Sequence, residues 1–296
     1  MEKVLLTGAN GFVGQELVTV LLRKGYQVIA TGKGPSRLQV EDPQLVYYDI
    51  DITHPFALQT VMIRELPTIV VHAAAMTQVD ECEQRQNEAH ALNVEATARL
   101  LLDAETYSNF IIFLSTDFVF DGEKGMYTES DDVNPVSWYG HTKVEAEAVM
   151  QTSAIPWAIV RTCLVYGNQS SGGRHNIFSW IRESLEAGKH IKVVDDQWRT
   201  PTYVTDLAEG IAAIIDAKAE GIWHLSGKDR MTPYGMAMEI AAYNKYDSSL
   251  VEKVTAANFS QPGKRPLLTG FNISKAEKEL GFGPLSFGEA MKRLMG

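Results

Sequence analysis

The sequence predicts an α/β protein: a doubly wound parallel sheet with a second, smaller, discontinuous lobe. Three observations predict it. Strand-like and helix-like segments alternate through the first half of the chain. The strand-like segments are apolar throughout, without in–out alternation, as a parallel sheet covered on both faces requires. A turn with three spaced glycines joins the first strand to the first helix. Such alternation implies right-handed crossovers that wind helices onto both faces.

The elements follow in order. Residues 4–7 read as a short buried strand, and Phe12 to Lys24 as a helix stopped by Gly25. Residues 27–31 and 45–48 are the second and third strands, and 56–65 is helical. Residues 68–72 are the fourth strand, 87–107 one long helix, and 110–115 the fifth strand. Residues 137–151 are helical and 157–162 form the sixth strand. Beyond residue 170 the pattern loosens, broken by Ser170-Ser171-Gly172-Gly173 and several prolines. Residues 205–217 make a helix, and 222–226 a strand able to extend the sheet. The division expected is 1–170 with 200–228 for dinucleotide binding, and 171–199 with 229–296 for a substrate lobe. Trp157, Trp180, Trp198 and Trp223 are expected in the core.

Composition bounds the function. The chain has 296 residues, 45% of them hydrophobic, and a formal net charge of -10. Such acidity argues against nucleic acid and against anionic membranes as partners. No apolar run of spanning length and no secretory leader is read. Two distant cysteines, Cys82 and Cys163, give no disulfide framework and no zinc spacing. A cytoplasmic protein, monomer or homodimer, without a metal site is expected.

The glycine turn is Gly8-Ala9-Asn10-Gly11-Phe12-Val13-Gly14. Glycines there permit a tight turn, let backbone approach a pyrophosphate, and let helix pack on strand. Free N–H groups at the helix start then meet the phosphates. This is the Rossmann pattern of a dinucleotide site, with Gly8, Asn10, Gly11, Phe12, Val13 and Gly14 as candidates. After the second strand no carboxylate stands ready for the ribose 2′-hydroxyl. Lys33 and Arg37 stand there instead and suit a 2′-phosphate, which favours NADPH over NADH. Asp51 with Ile52 is placed to meet adenine; Asp49 competes for that role. Ala73, Ala74 and Ala75 leave room for backbone to approach the cofactor. His72 reads as a hydrogen-bonded strand-end histidine.

The chemistry-bearing motif is Tyr139-Gly140-His141-Thr142-Lys143. Tyrosine and lysine four apart share one helix face. The ammonium is expected to lower the phenol pKa and to hold the nicotinamide ribose. The phenol then delivers a proton to a carbonyl oxygen as hydride arrives. Thr116, at the end of the fifth strand, is expected to donate to that carbonyl. Thr116, Tyr139 and Lys143 are the catalytic candidates.

These residues carry a resemblance. The stretch from Ser115 to Gly122, with Tyr139-Gly140-His141-Thr142-Lys143, resembles the extended short-chain dehydrogenase/reductases, most closely the dTDP-4-dehydrorhamnose reductases. Residues 73–80, 161–167, Asp196-Gln197, Thr200-Pro201-Thr202, 224–227 and Arg265-Pro266 follow in family order, so the likeness spans nearly the whole chain. It implies NADPH- or NADH-dependent reduction of the 4-keto group of a nucleotide-linked 6-deoxy sugar. It also implies that Thr77, Val79 and Asp80 line the sugar side, which Thr116 and Asp117 would share. The chain departs from the family pattern at Leu164, usually tryptophan, and at Ala146, usually glycine. It departs also at Trp198-Arg199, where a glycine is usual, and at Thr269-Gly270-Phe271-Asn272. An epimerase, a dehydratase and a non-catalytic NADP-binding subunit are the competing readings; a dehydratase wants a second acid after Asp117, and Phe118 stands there.

Overall fold

A computed structural model of the protein describes residues 2–168 and 175–295. The Ser170–Gly173 cluster and the expected boundary at 170/171 lie outside the described residues.

The first half runs β1 (Lys3–Thr7), α1 (Phe12–Arg23), β2 (Gln27–Gly32), β3 (Leu45–Asp49), α2 (Ala57–Glu65), β4 (Ile69–His72), α3 (Val79–Gln84) and α4 (Gln86–His90). A π turn at Ala91–Glu95 leads into α5 (Ala96–Tyr107) and β5 (Phe110–Thr116). Then come α6 (Trp138–Met150), β6 (Trp157–Thr162), β7 (Val165–Tyr166), α7 (Ile177–Glu186), β8 (Ile191–Val194) and β9 (Thr202–Tyr203). The chain continues through α8 (Val204–Ala217), β10 (Gly221–His224), α9 (Pro233–Asn244), β11 (Val251–Val254), α10 (Ser274–Leu280) and α11 (Phe287–Met295).

Seven strands form one sheet in the order β10-β6-β5-β4-β1-β2-β3. All its pairings are parallel. The apolar runs explain why: Val4, Leu6, Val28, Ile112 and Val160 face one core, while Leu5, Ile29, Val70, Ile111 and Ile159 face the other. Helices cover both faces, α1 and α8 through the first set and α2, α5 and α6 through the second.

A third core holds Phe178, Ile181, Met236, Ile240, Phe287 and Met291, beside the two-stranded sheet of β8 and β11. The stretch 271–282 does not join it: Phe271, Ile273, Ala276 and Phe282 pack into the large-sheet core. Two details differ from the sequence reading. The long helix expected over 87–107 is interrupted by the π turn, which inserts a residue and swings Asn93 inward. Trp180 and Trp198 are not core residues but lie 40% and 38% exposed.

Candidate active site

The order of the large sheet reverses at β1 and β4, whose connections leave in opposite directions. Ligands of open α/β sheets bind in the crevice outside such a point. A cleft of about 560 Å³ opens there. Gly8, Asn10, Gly11, Lys33, Arg37, Asp51, Ile52, Ala73, Ala74 and Ala75 line it. Phe12, Val13 and Gly14 are not among its lining residues. Phe12 borders a separate cavity of about 240 Å³ on the other side of α1, and Val13 packs into the core. Gly14 serves close packing instead: a Cβ there would lie 2.2 Å from the Gly8 carbonyl oxygen.

Gly8 has φ +75°, and a Cβ on it would lie 2.7 Å from the Ala74 backbone nitrogen. The turn thus presses β1 against the strand that ends at His72. The first turn of α1 carries no side-chain cap among the described residues. Uncapped N–H groups behind a glycine turn form an anion site. The cradle therefore fits a pyrophosphate.

The adenosine end is more closed than the sequence suggests. Asn10 Nδ2 donates to Tyr47 Oη at 2.8 Å and to the Pro35 carbonyl at 3.0 Å, while its Oδ1 accepts from Arg37 N. Asp51 does not stand open. Lys33 Nζ lies 2.7 Å from it, and Thr53 donates to it from backbone and hydroxyl. The Lys33 and Thr53 hydrogen bonds hold the Asp51 carboxyl down at about 2. Asp49, the competing candidate, accepts from Gly34 N at 2.7 Å.

His72 is wholly buried between two threonines. Thr97 donates its hydroxyl proton to the Asn93 carbonyl at 2.7 Å. It therefore accepts from His72 Nε2 at 2.9 Å, which leaves Nδ1 to accept from the Thr7 hydroxyl at 2.7 Å. Thr7 Oγ1 in turn accepts from Ala74 N at 3.2 Å. Asn93 completes the frame: it clamps Met76 N and O and donates to Thr142 Oγ1 at 3.0 Å. The loop after β4 is thus tied, through Asn93, to the π turn and to α6.

Burial holds His72 neutral, with its pKa near 3, and the Lys143 ammonium lowers it further. His224 is likewise near 3, chiefly through burial, its Nδ1 donating to the Tyr127 carbonyl. A histidine whose folded pKa is depressed loses stability as pH falls below its unfolded value near 6.5. From pH 6.5 to 5 each is expected to cost about 2 kcal/mol. Urea midpoints across that window check this; in His224→Phe the pH slope should fall by about half.

β5 ends at Thr116, whose hydroxyl accepts from Phe118 N at 3.3 Å and so caps a 3₁₀ turn over Asp117–Val119. α6 begins beneath it, capped by Ser137, which accepts from Gly140 N at 3.2 Å. Position 140 requires glycine, because a Cβ would lie 2.3 Å from the Phe118 carbonyl oxygen. That close approach sets the Tyr139 phenol near the Thr116 hydroxyl, which works to lower the phenol's pKa. Lys143 lies one turn on, its Nζ donating to the Leu114 carbonyl at 2.7 Å and lying 3.9 Å above the Phe113 ring.

The electrostatics differ from the simple expectation of an ammonium lowering a phenol. Burial pushes the Tyr139 phenol up, Thr116 lowers it and Asp117 raises it. Burial brings the Lys143 amine down to about 7, and Glu147 raises it. Tyr139 is thus held protonated at neutral pH, the form a proton donor needs.

Beneath Lys143 lies an ion pair the sequence reading did not single out. Glu147 and Arg161 are both buried, with Arg161 Nη2 to Glu147 Oε2 at 2.7 Å and Nε to Oε1 at 3.0 Å. Ser115 also donates to Glu147. The available signals were an arginine inside an apolar strand and an acid four residues after the lysine.

On the other side of Tyr139, Thr77 is exposed and Val79 packs with Tyr139, Cys82 and Phe118. Asp80 is engaged by a distant cation: Arg265 Nη1 and Nη2 lie 2.7 and 2.8 Å from its two oxygens. Asp117 is buried rather than open to a ligand. Among the described residues no group of three or more His, Cys, Asp or Glu is placed to hold a metal, and no helix is long and apolar enough to cross a membrane.

Comparison with known proteins gives a consistent picture. The family model described as RmlD substrate binding domain matches residues 1–296. The dTDP-4-dehydrorhamnose reductase of Streptomyces griseus is 33% identical over 289 residues, 95% of this chain and 88% of that one. The crystal structure of a dTDP-4-dehydrorhamnose reductase from Clostridium acetobutylicum superposes with a TM-score of 0.86 at 32% identity, covering 99% of this chain and 98% of that one. That of the Bacillus anthracis dTDP-4-dehydrorhamnose reductase in complex with NADP also gives 0.86, at 26% identity and the same coverage.

Proposed function

The chain belongs to the RmlD substrate binding domain family, and we propose that it is an NAD(P)H-dependent reductase of the 4-keto group of a nucleotide-linked 6-deoxy sugar. The reaction that fits best takes dTDP-4-dehydrorhamnose to dTDP-L-rhamnose. One observation carries this reading: Thr116, Tyr139 and Lys143 come together at the carboxyl end of β5, next to a glycine-turn cleft at the sheet's switch point.

The cofactor, when bound, supplies the hydride. Tyr139 gives its phenol proton to the carbonyl oxygen, and Thr116 donates a hydrogen bond to the same oxygen. Lys143, anchored on the Leu114 carbonyl, holds the nicotinamide ribose. Gly8, Asn10, Gly11 and the uncapped start of α1 hold the pyrophosphate. Thr77, Val79 and Asp80 face the sugar nucleotide. Residues 1–170 with 200–228 would carry the cofactor and 171–199 with 229–296 the substrate; the separate core around Phe178 and Met236 supports this division, while 271–282 packs on the large-sheet core. Two buried, unbridged cysteines suit a cytoplasmic enzyme.

Lys33 and Arg37 favour NADPH. Lys33→Met is expected to raise the dissociation constant for NADPH about tenfold and that for NADH less than about twofold. Fluorescence titration with each cofactor checks this, and equal losses would remove Lys33 from 2′-phosphate recognition. The assignment itself is tested by the loss of reduced-nicotinamide absorbance with the keto-sugar made in situ. Turnover on the order of 1 s⁻¹ or more supports it; bound NADPH with no turnover of any 4-keto-sugar overturns it.

A further inference from the structure

The loop that follows β2 is held by a residue of the glycine turn. Asn10 turns its side chain to that loop. Its amide donates to the Tyr47 hydroxyl at 2.8 Å and to the Pro35 carbonyl at 3.0 Å, with the Lys33 carbonyl 3.3 Å away. Its Oδ1 accepts from Arg37 N at 2.9 Å. An amide has two protons to give, and both are spent on these partners. What remains of Asn10 for the pyrophosphate cradle is its backbone.

Tyr47, on β3, completes the arrangement. A phenol has one proton to give. It goes to the Gly34 carbonyl at 2.6 Å, the nearer of two acceptors, since the Gly32 carbonyl lies at 3.1 Å. Burial holds the Tyr47 phenol above the ordinary tyrosine range, so that proton is present at neutral pH. Asp49, two residues along the same strand, accepts from Gly34 N at 2.7 Å. Gly34 is thus pinned at its N–H and its carbonyl, with φ at +83°, where glycine is at ease. Residues 33–37 are therefore fixed at Gly34 N, Gly34 O, Pro35 O and Arg37 N by side chains of the glycine turn and β3.

Lys33 and Arg37 are the cations of this segment, and both line the cleft with Gly8, Gly11 and Asp51. Lys33 Nζ lies 2.7 Å from Asp51. An ammonium has three protons, so that contact leaves donors for a phosphate oxygen.

We propose that Asn10 and Tyr47 are positioning residues for NADPH selectivity: they fix the 33–37 loop so that Lys33 and Arg37 stand ready for the adenosine 2′-phosphate. This rests on the reading that those two cations favour NADPH. A binding loop held in its bound shape costs less to order when the ligand arrives. NADH has no 2′-phosphate and gains less from that order. Asn10 also belongs to the turn that cradles the pyrophosphate, so one residue ties the two phosphate sites together.

Tyr47→Phe removes the hydroxyl and keeps the ring, which packs against the large-sheet core. In fluorescence titrations it is expected to raise the dissociation constant for NADPH about fivefold and that for NADH less than about twofold. Asn10→Ala is expected to lower the same preference. A background of Lys33→Met with Arg37→Met tells positioning from general loosening. There Tyr47→Phe is expected to change NADPH affinity by less than about twofold, because the groups it places are gone.

A preference for NADPH that survives Tyr47→Phe unchanged overturns the proposal. So do equal losses for the two cofactors, or an undiminished loss in the background without the two cations. A wild-type protein that binds NADH as tightly as NADPH overturns the reading of Lys33 and Arg37 itself, and the positioning role with it. None of these titrations needs the keto-sugar. The expected pattern in a protein that turns over no keto-sugar keeps the positioning role and discards the substrate.

Discussion

Tyr139→Phe is expected to lower kcat by about 10²–10⁴-fold while NADPH affinity stays within about twofold. The ring packs with Val79, Cys82, Phe118 and Trp138, and phenylalanine keeps that packing, so the fold should be unaffected. What is lost is the phenol proton. Burial keeps that phenol protonated at neutral pH, and Lys143 is anchored on β5 rather than aimed as a substitute acid. Steady-state kinetics with a parallel binding titration checks this. A kcat within threefold of wild type would remove Tyr139 from the chemistry.

Glu147→Ala is expected to destabilise the protein by about 3–5 kcal/mol, because it strands the Arg161 cation in the sheet. Arg161 Nη1 already finds no hydrogen-bond partner among the described residues, so the guanidinium has no second acceptor to fall back on. Removing both charges together should cost far less: Glu147→Leu with Arg161→Met is expected to recover most of the loss. Denaturant midpoints of the single and double variants measure this. Equal losses in both would mean that packing, not the stranded charge, sets the cost. Glu147→Gln carries a second consequence. Burial depresses the Lys143 amine to about 7 and Glu147 works against it, so losing that charge lowers the amine further. Lys143 would then shed its proton at lower pH.

The sheet was legible because its strands are buried on both faces, and Val4–Thr7, Ile69–His72 and Phe110–Ser115 are apolar runs bounded by glycine or polar turns. The π turn at Ala91–Glu95 was not legible, since its residues continue a helical pattern and only tertiary bonding of Asn93 reveals the inserted residue. Of the site, the four-residue spacing of Tyr139 and Lys143 was readable as one helix face. Their surroundings were not. Arg265 reaches Asp80 from 185 positions away, and Arg199 and Thr269 reach Asp117 from different loops. Local spacing carries no trace of such pairings.

The central claim is that a hydride passes from the cofactor in the β1–β4 cleft to the carbonyl carbon of a 4-keto-sugar facing Tyr139. Deuteride transfer tests it most directly. The enzyme is given NADPH deuterated at the transferred position of C4, with the dTDP-4-keto-6-deoxy sugar, and the product is analysed by mass spectrometry and proton NMR. One deuterium bonded to C4 of the sugar, with one NADPH oxidised per sugar reduced, is the predicted result. A reduced sugar with no deuterium at C4, or a rearranged sugar formed with no net NADPH oxidation, would contradict it.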